Sequence, residues 1–214
     1  SEQEAECCPS PQGRIKYRPT VEEIVQVALP HLEQAEDAII SFGQGCEGEP
    51  MLRADLIAPA IRALRQRTGR GIINANTNGG YTAGIKQVVE AGIDSLRVSL
   101  NSCIPGNYQA YYRSTSYSLE DVANSILLAK EAGVRVALNL LAFPGVTDRE
   151  DELEALIDFI KTNGVDMVQV RNLNIDPDTY MKLMGHSSGP LYGMEQLADI
   201  LRSEVPGLEV GSFT

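Results

Sequence analysis

The sequence predicts an α/β fold of parallel strands with helices outside them, and three patterns support that class. Short apolar runs alternate with helical segments, a glycine marks the passage from helix to strand, and polar side chains gather where each apolar run ends. The clearest stretch is residues 41–52, SFGQGCEGEPML. The apolar residues Ala38, Ile39 and Ile40 run into a loop holding Gly43, Gly45 and Gly48, and Glu49-Pro50 then opens an amphipathic segment. That is a strand, a loop whose backbone can approach a ligand closely, and a helix with proline in its first turn. Glu49 so stands at the positive end of a helix, where the dipole also favours a carboxylate on purely structural grounds.

In chain order, residues 1–19 contain Pro9, Pro11, Gly13 and Pro19 with little periodicity and read as an arm or loop before a single domain over 20–214. Thr20-Val21-Glu22-Glu23 is a capping box, and Val21, Ile24, Val25 and Ala28 recur at helical spacing after it. Pro30 is expected to kink or split that helix. A second helix follows the glycine loop through Leu52, Leu56, Ile57, Ile61 and Leu64, with Pro59 as a break and Thr68-Gly69 as its C-cap. Gly71 then leads into apolar residues from Ile72, Gly92 into Ile93 and 95–99, Gly133 into 134–141, and Gly164 into 165–170. Helical segments ending VVEAG, AKEAG and IKTNG precede the last three, and Leu208, Glu209 and Val210 form a sixth short strand. Such alternation calls for a parallel sheet with right-handed crossovers, and an open doubly wound sheet and a barrel both satisfy it.

The strand ends carry the chemistry. They present Glu49 after the first strand, Asn74, Asn76 and Asn78 on the second, Ser99 and Asn101 on the third, Asn139 on the fourth, and Arg171, Asn172 and Asn174 on the fifth. In a closed or nearly closed barrel these ends converge on one mouth. Their amides and hydroxyls suit a neutral, hydrogen-bonding ligand better than a bare phosphate, while Asn78-Gly79-Gly80 also reads as a plain turn.

Composition narrows the classes. The chain has 214 residues, 43% hydrophobic and 22% charged, with a formal net charge of -11, which argues against a surface gripping nucleic acid or anionic lipid in bulk. Arg62, Arg65, Arg67 and Arg70 form the densest basic run, and they close a helix, where cations offset the dipole. No apolar run spans a bilayer and no signal-peptide core is present, so a cytoplasmic location is expected. The four cysteines, Cys7, Cys8, Cys46 and Cys103, make no disulfide framework. Residues 103–117 crowd Tyr108, Tyr111, Tyr112 and Tyr117 around Arg113, either facing a substrate or packing on themselves. Residues 175–192 read as an irregular excursion carrying His186, before a helix from Met194 to about Val205.

Taken together, the strand-end residues resemble the radical S-adenosylmethionine (radical SAM) superfamily. Glu47-Gly48-Glu49-Pro50-Met51-Leu52 is similar to that family's Gly-Gly-Glu-Pro motif, with Glu47 in place of the first glycine. Thr77-Asn78-Gly79, Arg97-Val98-Ser99-Leu100-Asn101 and Asn139 follow in the family's order, and the resemblance covers residues 20–174. It implies a partial (β/α)6 TIM-like barrel whose first strand lies upstream. It also implies S-adenosylmethionine as ligand, its methionine ammonium held by the backbone around Glu47 and Gly48 and by the Glu49 carboxylate. Ser99 and Asn101 would face the ribose or the methionine carboxylate, Asn139 the ribose, and the backbone of 170–172 the adenine. Asn76 and Asn78 complete the set, and Arg171 would pair with a carboxylate of cofactor or substrate.

The chemistry so implied is reductive cleavage of S-adenosylmethionine by a [4Fe-4S] cluster, giving a 5′-deoxyadenosyl radical that abstracts hydrogen from a substrate. The cluster's three cysteines come from Cys-x3-Cys-x2-Cys in that family. These 214 residues lack the motif, position 5 being alanine, so it is expected upstream and the segment alone is expected to be inactive. The implied partners are a small-molecule or peptide substrate and a reductant such as flavodoxin or ferredoxin. A cluster-free binding or regulatory domain of the same fold is one alternative. An iron-independent barrel enzyme is another, and the absence of a lysine at any strand end counts against it.

Overall fold

Thr20 opens the first helix as its capping box predicts. Its hydroxyl accepts from Glu23 N at 3.3 Å, and the Glu23 carboxylate accepts from Thr20 N at 2.8 Å. The helix α1, Val21–Gln34, buries Val25, Ala28 and Leu32. It runs on through Pro30, so the proline does not split the helix. Pro30 and the residue four before it, Gln26, both lie on the exposed side, so the carbonyl that proline leaves without an internal donor faces solvent.

The structure is a computed structural model and describes residues 17–43, 48–184 and 189–211. Six strands form one parallel sheet in sequence order, the α/β architecture of a partial TIM-like barrel. They are β1 (Ile39–Phe42), β2 (Ile72–Thr77), β3 (Ser95–Leu100), β4 (Arg135–Ala142), β5 (Met167–Asn172) and β6 (Glu209–Gly211). The chain separates into two compact units, one of residues 1–77 and 83–96, the other of residues 78–82 and 97–214.

In the first unit β1 and β2 pair in parallel with Ser41 beside Asn74. The Glu-Pro dipeptide opens a 3₁₀ helix, Pro50–Arg53, before α2, Ala54–Arg65. Pro59 does not break α2, because the one carbonyl it leaves without an internal donor belongs to the exposed Asp55 and faces solvent. The helix stops at Arg65 rather than at Thr68-Gly69, with Gln66 still in the right-handed region. The Arg65 side chain leaves the helix to donate to the carbonyls of Arg70 and Gly71, both at 3.2 Å, and to the Asp94 carboxylate. It clamps the entry to the next strands, a more specific task than offsetting a dipole. α3, Thr82–Ala91, then leads to β3.

The second unit holds β4 to β6 with α4 (Pro105–Tyr112), α5 (Leu119–Glu131), α6 (Glu150–Asn163), α7 (Pro177–Leu183) and α8 (Met194–Glu204). The stretch 175–192, read as irregular, thus contains α7, and the tyrosine-rich stretch 103–117 contains α4, each helix started by a proline that supplies the helical φ and lacks only an N–H with no partner there. α6 ends at Gly164 with φ 65°, where an L side chain would be strained. α4 and α7 contribute a satellite core, with Val146, Tyr180 and Met184 buried against Tyr111, Phe143, Leu173 and Ile175.

One device recurs in both units at the amino ends of the strands. Asp94, after Gly92-Ile93, accepts from Ile73 N at 2.6 Å and pairs with Arg65. Asp166, after Gly164-Val165, accepts from Val136 N at 2.7 Å and pairs with Lys130 at 2.6 Å. Each aspartate also donates its own N–H to a strand carbonyl, Ile73 O or Val136 O, at 3.0 Å. Replacing Asp166 by alanine orphans both a strand N–H and a partly buried ammonium, so Asp166→Ala is expected to destabilise by about 1–3 kcal/mol. Glu90→Ala, which breaks an exposed pair with Lys86, should leave the urea midpoint unchanged. Equal midpoints for the two variants would show the aspartate device to be ornamental.

Candidate functional site

The first unit places Glu49 between the end of β1 and the 3₁₀ helix. Its carboxylate oxygen Oε1 accepts from the Met51 N–H at 3.0 Å, capping that helix, and from the Thr77 hydroxyl at 2.6 Å. Glu49 is half-buried and Thr77 buried. Thr77 and Met51 are neutral donors, so they orient the carboxylate without neutralising it. Gly43 and Gly48 have φ of 90° and 95°, and a Cβ at Gly43 would collide with the Asn76 carbonyl oxygen. The Asn76 amide in turn donates to Gly43 O at 2.9 Å and ties the loop down. Asn74 is buried, and its amide lies between the hydroxyls of Ser41 at 3.0 Å and Ser95 at 2.8 Å. Glu47, Gly45 and Cys46 lie outside the described residues.

The second unit carries the remaining positions. Asn78 Oδ1 accepts from Gly80 N at 2.9 Å, the turn its sequence foretold. The Ser99 hydroxyl accepts from Asn139 Nδ2 at 3.4 Å, so these two residues share one face of the sheet. The Ser99 carbonyl accepts from the Tyr112 hydroxyl at 2.8 Å. Burial, then the neighbouring tyrosines, raise the Tyr112 phenol well above its ordinary range, so it remains a donor. The tyrosines pack on themselves: Tyr108 stacks on Tyr112 with centroids 4.5 Å apart, and Tyr111 meets the edges of Tyr112 and Tyr180. Asn101 is 1% exposed and gives its amide to Asn107 O and the Tyr180 hydroxyl, both at 3.4 Å, while its Oδ1 has no hydrogen bond among the described residues. It belongs to a buried network. Arg171 is half-buried and stands near Arg97.

The sequence did not reveal Thr77 as the partner of Glu49, nor Glu152. Glu152 looks like one more acid in the first turn of α6, where the dipole would favour it at the surface. It is instead 3% exposed and accepts from Ser102 Oγ at 2.7 Å and Asn107 Nδ2 at 2.5 Å, joining α6 to the turn between β3 and α4. Burial raises its pKa; the two hydrogen bonds oppose that rise and Asp151 adds to it. The fold therefore favours the neutral carboxyl. That contribution is complete below the ordinary value of about 4.5 and is lost as pH rises through the folded value. Glu152→Gln should accordingly gain on wild type as pH rises from 4.5 towards neutral, read as the difference in urea midpoints. A difference that stays flat or moves the other way would remove burial as the governing cause.

Among the described residues no group of three His, Cys, Asp or Glu side chains could hold a metal ion. Cys103 is buried, and burial holds its thiol protonated, the reverse of what a metal ligand needs. Cys7, Cys8 and His186 lie outside the described residues. No described helix is long and apolar enough to cross a membrane. A cleft of about 620 Å³ between α1 and β1, lined by Tyr17, Ile24, Val27, His31 and Phe42, contains none of the predicted site residues.

Comparison with known proteins bears on this arrangement. A GTP 3′,8-cyclase of Erythrobacter litoralis is 29% identical over 157 residues, covering 72% of this chain and 45% of that protein. The chain thus spans less than half of this relative's length. SuiB of Streptococcus suis, solved bound to S-adenosylmethionine, superposes with a TM-score of 0.63 at 12% identity over 94% of this chain and 45% of that one. A domain of pyruvate-formate lyase-activating enzyme from Bacteroides vulgatus gives a TM-score of 0.57 at 13% identity, over 81% of this chain and 98% of the domain. These two likenesses show the fold. The family model of the Radical SAM superfamily matches residues 6–160, most of the sequence, and the chain belongs to that superfamily.

Proposed function

We propose that this chain is the S-adenosylmethionine-binding core of a radical enzyme, with the Glu49 carboxylate as the anchor for the methionine ammonium. The observation that carries this reading is the fixation of Glu49 by Thr77 Oγ1 at 2.6 Å and Met51 N at 3.0 Å. A carboxylate held in one orientation by neutral donors, beside a loop that a side chain at Gly43 would obstruct, fits a primary ammonium brought close to backbone. On the second unit Ser99 and Asn139 present a hydroxyl and an amide on one sheet face, suited to ribose hydroxyls. Gly48, Asn76, Asn78 and Asn101 shape the loops and turns around these groups. Glu47 completes the proposed motif from the sequence alone.

When bound, S-adenosylmethionine and a [4Fe-4S] cluster supply a 5′-deoxyadenosyl radical, the chemistry implied by membership of the superfamily. The described residues offer no cysteine set for the cluster, and no step is assigned to them there. Their work is binding and orientation, since holding reactants in one geometry removes much of the entropic barrier. The substrate is a small molecule or peptide, and a flavodoxin or ferredoxin is the reductant of this proposal.

The test is equilibrium binding of S-adenosylmethionine to the full-length protein. Glu49→Gln removes the charge and keeps the shape, and should weaken binding by about tenfold or more, the size of one charge-assisted hydrogen bond. Thr77→Val frees the carboxylate to rotate and should weaken binding by roughly severalfold. If Glu49→Gln binds as wild type does, Glu49 is not the anchor. If the reconstituted, reduced full-length protein makes no 5′-deoxyadenosine, the radical reading fails as well.

A further inference from the structure

β3 sets Leu96, Val98 and Leu100 on one face, all buried, and Ser95, Arg97 and Ser99 on the other. Val98 faces the helices, since a Cβ at Gly79 would meet Val98 and Val122 of α5 at 3.1 and 3.0 Å. Arg97 and Ser99 therefore point away from the helices. Asn139 shares that face through its hydrogen bond to Ser99. The parallel register of β4 and β5 sets Asn139 beside Gln169 and Leu141 beside Arg171. Arg97, Ser99, Asn139, Gln169 and Arg171 thus line one polar face of the second unit.

Arg97 is the anomaly on that face. It is half-buried, and among the described residues it makes neither a hydrogen bond nor an ion pair. The charged group it does sense is another cation, Arg171; burial first and then that neighbour disfavour its charged form. A guanidinium cannot relieve this by losing its proton, so a partly desolvated Arg beside an Arg calls for an anion. Guanidinium also presents a planar fork that matches two oxygens of a carboxylate or phosphate.

We infer that Arg97, with Arg171 beside it, holds an anionic group of the substrate, a carboxylate or a phosphate, above the floor formed by Ser99, Asn139 and Gln169. This rests on the reading of the strand ends as the cofactor and substrate site. The cofactor's own carboxylate is the other source of such an anion, and the experiment separates the two.

Binding of inorganic phosphate and of acetate to the full-length protein is measured by calorimetry, with and without saturating S-adenosylmethionine. Arg97→Gln should lose about tenfold or more in affinity for the preferred anion, and Arg97→Lys should keep part of it as a point charge. Arg62→Gln, on the exposed side of α2, should bind as wild type does. Tighter phosphate binding assigns a phosphate ester to the substrate, and tighter acetate binding a carboxylic acid. Anion binding that persists with S-adenosylmethionine present supports the assignment to substrate; competitive displacement gives the anion to the cofactor and overturns it. Wild type that binds neither anion, or a folded Arg97→Gln that binds both unchanged, overturns the site itself. The cofactor reading is scored separately by binding of S-adenosylmethionine to the same variants, whose folding is checked by circular dichroism.

Discussion

The hydrogen bond from the Thr77 hydroxyl to the Glu49 carboxylate, at 2.6 Å, ties the residue that follows the β1 loop to the carboxyl end of β2. It fixes where a negative charge stands in the first unit. Gly43 lets that loop approach the Asn76 carbonyl, Asn76 ties the loop back through Gly43 O, and Pro50 starts the 3₁₀ helix that Glu49 caps. Each of these residues would be ordinary alone. Together they hold the carboxylate in one orientation, as the proposed binding role requires.

The division of labour along the strands follows from parallel-sheet geometry. The amino ends carry the Asp94 and Asp166 devices, which bind neighbouring strand backbone and a basic helix residue and so serve stability. The carboxyl ends carry Glu49, Asn76, Ser99, Asn139 and Arg171, where folds of this type hold ligands. Charge is spread unevenly over those ends. The first unit carries the Glu49 carboxylate at its strand ends, and the second carries the guanidinium groups of Arg97 and Arg171.

Much of this was legible in the sequence. The capping box at Thr20, the glycines at 92, 133 and 164, and the alternation of apolar runs all report local geometry, and local geometry is what a short window encodes. Pro30 and Pro59 misled, because each leaves only one carbonyl without an internal donor, that of Gln26 or of Asp55, and both of those residues are exposed to solvent. The buried Glu152, the Thr77 partnership and the isolation of Arg97 were not legible. Each depends on residues far apart in the chain, such as Ser102 and Glu152 or Glu49 and Thr77. The expectation of a neutral, amide-lined site rested on side chains that have partners of their own. Asn74, Asn76 and Asn78 spend their side chains on neighbouring hydroxyls, a loop carbonyl and a turn.

The central claim is that Glu49 receives the methionine ammonium of S-adenosylmethionine. A crystal structure of the full-length protein with S-adenosylmethionine bound tests it directly, through the distance from the ammonium nitrogen to the Glu49 carboxylate. The account predicts a charge-assisted contact of about 2.7–2.9 Å, with the Thr77 hydrogen bond retained. An ammonium held by other residues, with Glu49 still turned onto Thr77 and Met51, would contradict it.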